Sequence, residues 1–296
     1  MSASASEEIP VILNPRARSK RAGKLVERIA AFSPRVKIVA TSAAGEARSI
    51  AAQLSRDGYP KVVAAGGDGT VNEVVNGLVD AGLENAPCLG ILPSGTMNVF
   101  ARELKLQGQS LEKCWKTIEQ SDGQPVDLWR ADDHYFVQVA GIGLDANIIE
   151  HTTWEMKVRY GSLSYVMAGL RQVNAFRDTV TVQAEGQPDR EAAYVLAGNG
   201  RLYGGPFTVF PDAHTNDQLI DVVLVQKHGF RSLGRLFQAL TTGGYRGLPG
   251  LHYFQTSSMT ILGAGGKAVP VEVDGDFSNR TPITFRCAWR PLQVLI

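Results

Sequence analysis

Residues 62–74 read Val-Val-Ala-Ala-Gly-Gly-Asp-Gly-Thr-Val-Asn-Glu-Val, and no other stretch of the sequence is as informative about the fold. An apolar run ends in a cluster of glycines, and an amphipathic pattern follows without a break. This order predicts a buried strand, a tight turn and a helix that begins at once. Glycines can adopt positive φ and can approach a ligand with no Cβ in the way. The backbone amides of the turn and of the helix start therefore form a predicted cradle for phosphate oxygens.

A plain structural turn before a capped helix is the alternative interpretation of this stretch. In either case Thr70 is expected to be the N-cap, with Glu73 reaching back as in a capping box. Asp68 favours the ligand-binding interpretation, because a carboxylate beside bound phosphates repels them unless a cation lies between. The sequence therefore predicts Mg²⁺ at Asp68. The turn is neither a Walker A motif nor the dinucleotide-binding GxGxxG fingerprint.

The same alternation of apolar runs and helical patterns extends outward in both directions over residues 1–124. Strands alternating with helices imply crossover connections and hence a parallel, doubly wound sheet. The predicted strands are 9–13, 36–40, 61–65 and 88–92, and the predicted helices are 19–32, 45–56, 71–79 and one beginning at Met97.

Polar residues follow the ends of these predicted strands. Asn14 follows the first strand, Thr41 the second, and Gly95 and Thr96 the fourth. In an open parallel sheet, ligands bind beyond the carboxyl ends of the strands. Together with the glycine-rich turn, these residues predict a nucleotide site.

From residue 125 onward, many short strand-like segments are joined by turns rich in Gly, Asn, Asp and Pro. This pattern predicts an antiparallel β-sandwich as a second domain. Two helical stretches interrupt it, at about 154–176 and 230–241. Apolar side chains between Trp154 and Met167 could line an acyl-chain pocket, although packing of a helix on the sandwich explains them as well.

Composition narrows the classes of partner and compartment. The 296 residues carry a formal net charge of +1 with both signs scattered, so no nucleic-acid partner is expected. Three widely spaced cysteines predict neither a disulfide framework nor a metal site and fit a reducing compartment. No signal peptide and no apolar run of about 18 residues is found, so no transmembrane segment is expected. We therefore expect a cytoplasmic protein.

The motifs at 66–74 and at 92–98 (Leu-Pro-Ser-Gly-Thr-Met-Asn) together resemble the diacylglycerol kinase catalytic-domain family. That family includes bacterial soluble lipid kinases and sphingosine and ceramide kinases, and the resemblance covers essentially the whole chain. It implies an NAD kinase/diacylglycerol kinase-like nucleotide-binding α/β domain over 1–124 and a β-sandwich lipid-acceptor domain over 125–291. ATP and the acceptor would meet between the two, and the strand at 292–296 would return to the first domain.

The resemblance also assigns roles to single residues. The residues implied to contact ATP are Asn14, Thr41, Gly66, Gly67, Asp68, Gly69, Thr70, Val71, Asn72, Gly95 and Thr96. The segment 271–277 resembles the family's Asp-Gly-Glu motif, which makes Asp276 the expected catalytic base alongside Asp68. Without the resemblance, Asp274-Gly275-Asp276 would be interpreted as a hairpin turn.

The segment 211–219 resembles the family's Mg²⁺-binding turn, to which Asp217 would give its side chain and His214 and Leu219 their carbonyl oxygens. A solvated loop is the alternative interpretation there. Three departures from the family pattern bear on these assignments: Asp276 replaces a glutamate, Gln218 stands where glycine is usual, and Ala17-Arg18 replaces Ser-Gly.

The sequence thus predicts an ATP- and Mg²⁺-dependent kinase that phosphorylates a hydroxyl of a diacylglycerol-like or sphingoid lipid at the bilayer surface. The enzyme would be cytoplasmic and would contact the membrane transiently. The alternatives are an NAD kinase, which shares the Gly-Gly-Asp-Gly-Thr turn, and a non-catalytic nucleotide- or lipid-binding homologue. The oligomeric state stays open, with a homodimer as one option.

Overall fold

The computed structural model of the chain describes residues 8–14, 22–150, 176–242, 244–245 and 247–296. Two sets of residues that entered the sequence predictions lie outside these ranges: Ala17-Arg18 and the apolar residues between Trp154 and Met167. The chain divides into two compact units. One contains the residues up to Leu128 together with Trp289–Ile296, and the other is Trp129–Ala288.

A six-stranded sheet forms the centre of the first unit. Its strands lie in the order β2-β1-β3-β4-β20-β5, where β1 is Ile9–Leu13, β2 Val36–Ala40, β3 Lys61–Gly66, β4 Cys88–Pro93, β5 Gln124–Val126 and β20 Leu292–Val294. The strands β1 to β4 are mutually parallel, β20 is parallel to β4, and β5 is antiparallel to β20. The predicted parallel sheet is confirmed, because β1, β3 and β4 are the apolar runs that a sheet covered on both faces requires.

Among the described residues, five helices accompany the sheet, and ion pairs join four of them in two pairs. They are α1 (Ala22–Ala30), α2 (Glu46–Arg56), α3 (Asp68–Asp80), α4 (Val99–Glu103) and α5 (Leu111–Gln120). The bidentate ion pair of Arg28 with Glu112 joins α1 to α5, and that of Arg48 with Asp80 joins α2 to α3. The crossovers from β1 to β2 and from β2 to β3 run in opposite directions, so right-handed connections put α1 and α2 on opposite faces. The sheet is therefore doubly wound, as predicted.

Two antiparallel six-stranded sheets make up the second unit, which confirms the predicted β-rich half. Their orders are β10-β9-β16-β19-β6-β7 and β15-β14-β11-β8-β17-β18, and a small hairpin, β12-β13, is separate. The strands are β6 (Trp129–Ala131), β7 (His134–Phe136), β8 (Val139–Ile142), β9 (Val180–Ala184), β10 (Arg190–Ala192), β11 (Tyr194–Gly198), β12 (Leu202–Tyr203), β13 (Phe207–Thr208), β14 (Ile220–Val225), β15 (Leu251–Thr256), β16 (Ser258–Gly263), β17 (Pro270–Val273), β18 (Asp276–Arg280) and β19 (Ile283–Cys287).

Side chains of both sheets form one buried apolar cluster, to which Trp129 and Phe285 contribute from one sheet and Leu196 and Val223 from the other. Packing of this kind between two antiparallel sheets defines a β-sandwich. Two helices of the second unit follow strands of the sandwich: α6 (Leu144–Glu150) follows β8, and α7 (Phe230–Thr242) follows β14.

The helix α7 is amphipathic. Its leucines at 233, 236 and 240 pack against the core of the sandwich, whereas Phe230 and Phe237 are 49% and 64% exposed. These phenylalanines are seven residues apart and therefore lie on one side of the helix. Among the residues that the structure describes, no helix has both the length and the apolar character needed to span a bilayer.

Candidate functional site

The glycine-rich turn joins β3 directly to α3 in the first unit. The helix begins at Asp68 with Gly67 as its N-cap, and its first intrahelical bond runs from the Val71 amide to the Gly67 carbonyl, at 3.1 Å. The amides of Gly69 and Thr70 precede that bond, as the geometry of a helix start requires. They form part of a positively polarised helix end, which suits an anionic ligand.

A capping box at Thr70 was the wrong prediction for this helix start. The helix α3 begins two residues before Thr70, because the glycine at 67 serves as the N-cap. Glu73 instead accepts the amides of Gly45 and Ala47, at 2.9 and 3.1 Å, and so caps the neighbouring helix α2. The predicted local pair is thus replaced by a bond between two helices.

Glycine is needed in this turn for space rather than for positive φ, because neither Gly66, Gly67 nor Gly95 adopts it. A Cβ on Gly66 would lie 2.4 Å from Oγ1 of Thr70, and one on Gly95 would lie 2.4 Å from the Cα of Gly67. The Ser94 amide also donates to the Gly66 carbonyl, at 3.0 Å. The two turns predicted to bind nucleotide are therefore packed backbone to backbone.

Asp68 lies between these two turns. Its Oδ1 accepts the amide of Phe100 near the start of α4, at 3.3 Å. The N-cap of α4 is Asn98, whose φ of +49° is the left-handed conformation that asparagine tolerates. The side chain of Asn98 closes its own turn by accepting the Gly95 amide and donating to the Gly95 carbonyl, at 3.0 and 2.9 Å. Asp68 and Asn98 together fix the second turn against the first.

The remaining residues that were predicted to contact nucleotide differ in their exposure to solvent. Thr96 is exposed, whereas Thr41 is buried at the end of β2, where its amide donates to the Leu13 carbonyl at 2.9 Å. Asn14 is half-buried at the end of β1. Val71 and Asn72 are buried within α3, where Asn72 accepts two bonds from the side chain of Asn76.

In the second unit, Asp274 and Gly275 form a two-residue hairpin between β17 and β18. Both have positive φ, +48° and +89°, as the favoured hairpin turn requires. The carboxylate of Asp274 is buried and accepts three backbone amides, those of Val137, Gln138 and Val139, each at 3.0 Å. Asp276 is the next residue, and its side chain is exposed. The segment 274–276 therefore forms the hairpin turn and also presents an exposed carboxylate, that of Asp276.

The structure also reveals a buried group of acids that was not predicted. Glu272 on β17 and Asp145 on α6 share the hydroxyl of Tyr203, which lies 3.1 Å from Oε1 of Glu272 and within hydrogen-bonding distance of Asp145. Burial, and next the charge of Asp145, raises the pKa of Glu272 well above its usual value, and burial raises the pKa of Asp145. An acid between two valines in a strand was the only signal of this group in the sequence.

Within the segment 211–219, Asp217 forms an Asx turn, in which its side chain accepts the amide two residues further on. Its Oδ1 accepts the Leu219 amide at 3.0 Å, and Gln218 takes a φ of +61°, which explains why glycine is favoured there. His214 is exposed. Asp221, which follows, is fully buried and bonded to Tyr253, and burial raises its pKa to about 6.

Both implied ligands are compatible with the residues present. Side-chain and carbonyl oxygens are the ligands that Mg²⁺ prefers, and the three groups predicted at 214–219 are all oxygens. In the described ranges, no cluster of three or more His, Cys, Asp or Glu side chains could hold a metal. A cation at this turn would therefore rely on Asp217 and backbone carbonyls. The positively polarised start of α3, with the amides of Gly69 and Thr70, suits polyphosphate oxygens.

Comparisons with known proteins agree with this arrangement. The model of the diacylglycerol kinase catalytic domain matches residues 8–131, and that of the YegS C-terminal NAD kinase beta sandwich-like domain matches residues 138–296. A diacylglycerol kinase of Bacillus subtilis strain 168 is 28% identical over 259 residues, which are 87% of this chain and 84% of the relative. A diacylglycerol kinase of Staphylococcus carnosus strain TM300 is 28% identical over 83% of this chain and 79% of its own length.

Among solved structures, a Bacillus anthracis str. Sterne protein provisionally assigned as a diacylglycerol kinase superposes with a TM-score of 0.79 at 25% identity. That match covers 99% of this chain and 98% of the other. The two family models cover both structural units in the expected order. The chain therefore belongs to the diacylglycerol kinase catalytic-domain family, with a YegS-type C-terminal domain.

Proposed function

We propose that this lipid kinase transfers the γ-phosphate of ATP to the free hydroxyl of a diacylglycerol-like lipid. The observation that carries the proposal is the glycine-rich turn at 66–70, which opens directly into α3 and packs against the turn of Gly95. Membership of the family adds the substrate class, because curated relatives over most of the chain are named diacylglycerol kinases. No specific observation favours an NAD kinase.

The turn residues have separate roles in this proposal. The amides of Gly69 and Thr70 at the start of α3 hold the phosphates of ATP, and Gly66 and Gly67 allow the close packing of this turn against Thr70 and Gly95. Thr96 contacts the nucleotide from the second turn, while Thr41 and Asn14 border it at the ends of β2 and β1. The buried Val71 and Asn72 support the turn from within α3. This division follows from which groups are exposed and which are already used inside the helix.

We assign the carboxylates of Asp68 and Asp217 to cation binding and that of Asp276 to proton transfer. Asp68 organises Mg²⁺ beside the phosphates, and the turn of His214, Asp217 and Leu219 holds a second, structural cation. When bound at the phosphates, Mg²⁺ supplies neutralisation of the charge that phosphoryl transfer develops. Asp276 accepts the proton of the lipid hydroxyl, a contribution of about 10²–10⁴-fold for a positioned base.

We also propose that the enzyme works in the cytoplasm and reaches its substrate from the bilayer surface. The exposed Phe230 and Phe237 on one side of α7 are the side chains that would enter the interface. Between Asp221 and Glu272 the sequence has no acidic residue but five Lys and Arg, although the whole chain is close to neutral. This local basic surplus suits anionic lipid headgroups.

The direct test incubates the protein with ATP labelled on its γ-phosphate, Mg²⁺ and mixed micelles that contain diacylglycerol, sphingosine or neither. A parallel reaction offers NAD as the acceptor. Thin-layer chromatography should show label in phosphatidic acid. The Asp276→Ala variant should lose about 10²–10⁴-fold in turnover while ATP binding is retained. The Asp276→Glu variant, which restores the longer acid of the family motif, is the matched control and should stay active. Label in NADP, or ATP binding without any labelled lipid, would overturn the proposal.

A further inference from the structure

The group of Asp145, Tyr203 and Glu272 borders the proposed catalytic turn. Glu272 is 1% exposed, lies on β17 two residues before Asp274, and its Oε2 accepts the amide of Gly275 at 2.8 Å. Its Oε1 faces Tyr203 and Asp145 on the other side. One carboxylate thus joins the hairpin to α6 and β12, and Gly275 is the residue directly before Asp276.

The site is built to bring the two acids together. On the neighbouring strand β8, Gly141 is paired with Glu272, and a Cβ there would lie 2.5 Å from Oδ2 of Asp145 and 2.8 Å from Oε1 of Glu272. Only glycine leaves room for both carboxyl groups. Two carboxylates in contact at a buried position cannot both ionise easily, so they share a proton.

Among the residues that the structure describes, only the Gly275 amide and the Tyr203 hydroxyl bond to the Glu272 carboxylate besides Asp145. Tyr203 contributes a hydroxyl whose pKa is raised well above its usual value by burial, so it stays protonated. On the far strand β18, the residue opposite Glu272 is Phe277. The nearby Arg280 is paired with Glu150 at an exposed position. Within the described residues, no cation contributes to the pKa shift of either buried acid.

We propose that Glu272 is a positioning residue, which holds the Gly275 amide and thereby Asp276 in place for as long as it shares a proton with Asp145. This inference rests on the proposed role of Asp276 as the base. Loss of the shared proton leaves two buried negative charges in contact, and their repulsion displaces Glu272 from the turn. A displacement of about 1 Å at a reacting group is sufficient to cost roughly 10²-fold in rate.

The direction of the pH effect follows from the raised pKa. The stability that the protonated pair provides is complete below the ordinary glutamate value of 4.5 and is lost as the pH rises through the raised value in the folded protein. Turnover of the wild type should therefore fall as the pH rises through that raised value. Glutamine in place of Glu272 keeps an oxygen for Gly275, donates to Asp145 from its amide and cannot ionise.

The experiment measures kcat and KM for ATP against pH in Glu272→Gln, Glu272→Ala and wild type, with Glu185→Gln as the control. Glu185 is an exposed turn glutamate that accepts bonds from Ser257 and Ser258, so its variant should follow the wild-type profile. We expect Glu272→Gln to abolish this fall in turnover. Glu272→Ala should lower kcat about 10²-fold at pH values below the fall and show no such fall itself, with KM for ATP unchanged.

A second readout does not depend on activity. In protein labelled with ¹⁵N-glycine, the Gly275 amide resonance is identified by its loss in the Gly275→Asn variant and is followed through the pH range. It should titrate in wild type, together with kcat, and stay constant in Glu272→Gln. A resonance that does not titrate, or one that titrates while kcat keeps the same profile in both proteins, overturns the inference. Full activity of Asp276→Ala would instead refute the proposed base, and the resonance would still decide whether Glu272 controls the turn.

Discussion

Replacement of Asp274 by alanine should destabilise the second unit severely, although Asp274 is a turn residue two positions before the exposed Asp276. Its buried carboxylate accepts three backbone amides at 3.0 Å. Each buried donor left without an acceptor costs about 1–3 kcal/mol. Water that enters beside the turn would satisfy part of this demand, so we take the lower half of the sum, about 3–6 kcal/mol. Alanine in the left-handed conformation adds about 1 kcal/mol.

Thermal unfolding is the assay for Asp274→Ala, with Asp276→Ala and Asp274→Asn as matched controls. A domain of this size loses roughly 2–4 °C of melting temperature per kcal/mol, so the midpoint should fall by roughly 10 °C or more. Asp276→Ala removes an exposed carboxylate and should change stability by less than about 0.5 kcal/mol. Asp274→Asn keeps one oxygen and tolerates the backbone conformation, so it should fall between the two. A loss below about 1 kcal/mol for Asp274→Ala would refute the reasoning.

Further predictions concern the turns, the helix cap and the exposed face of α7. Gly95→Ala puts a Cβ 2.4 Å from the facing glycine and should raise KM for ATP at least about tenfold, as steady-state kinetics would show. Glu73→Ala removes the cap of α2 and should cost about 1 kcal/mol in chemical denaturation, with no change in cooperativity if the cap is local. The double change of Phe230 and Phe237 to serine should weaken sedimentation with anionic vesicles about tenfold or more, whereas Phe207→Ser, an exposed aromatic change on β13, should not. Equal losses in both vesicle experiments would exclude α7 as the membrane-facing element.

The parallel sheet could be predicted from the sequence because each of its central strands is a continuous apolar run. Such runs are fixed by local composition, and β1 and β2 appear at the predicted bounds. The start of α3 was missed by three residues, because the amphipathic pattern begins only at Val71 whereas the helical backbone already begins at Asp68. Glycine and aspartate carry no periodic apolar signal, so the pattern predicts a helix that is shorter than the observed one.

The contacts that organise the candidate site could not be predicted, because they join residues far apart in the chain. Glu73 bonds to amides 26 and 28 positions away, and Tyr203 lies 69 positions from Glu272. The local sequence pattern suggested a capping box for Glu73 and gave no indication of the contact between Tyr203 and Glu272. The Asp-Gly hairpin shows the opposite case, since a two-residue signal defined its turn while the three amide bonds to Asp274 required the fold.

The pairing of β20 has a consequence for biosynthesis. This strand fills the place between β4 and β5, yet 165 residues separate its first residue from the last of β5. A ribosome must therefore translate the entire sandwich before the parallel sheet of the first unit can close. Until then one edge of β4 lacks its strand partner and exposes backbone hydrogen-bonding groups, which raises the risk of aggregation during synthesis.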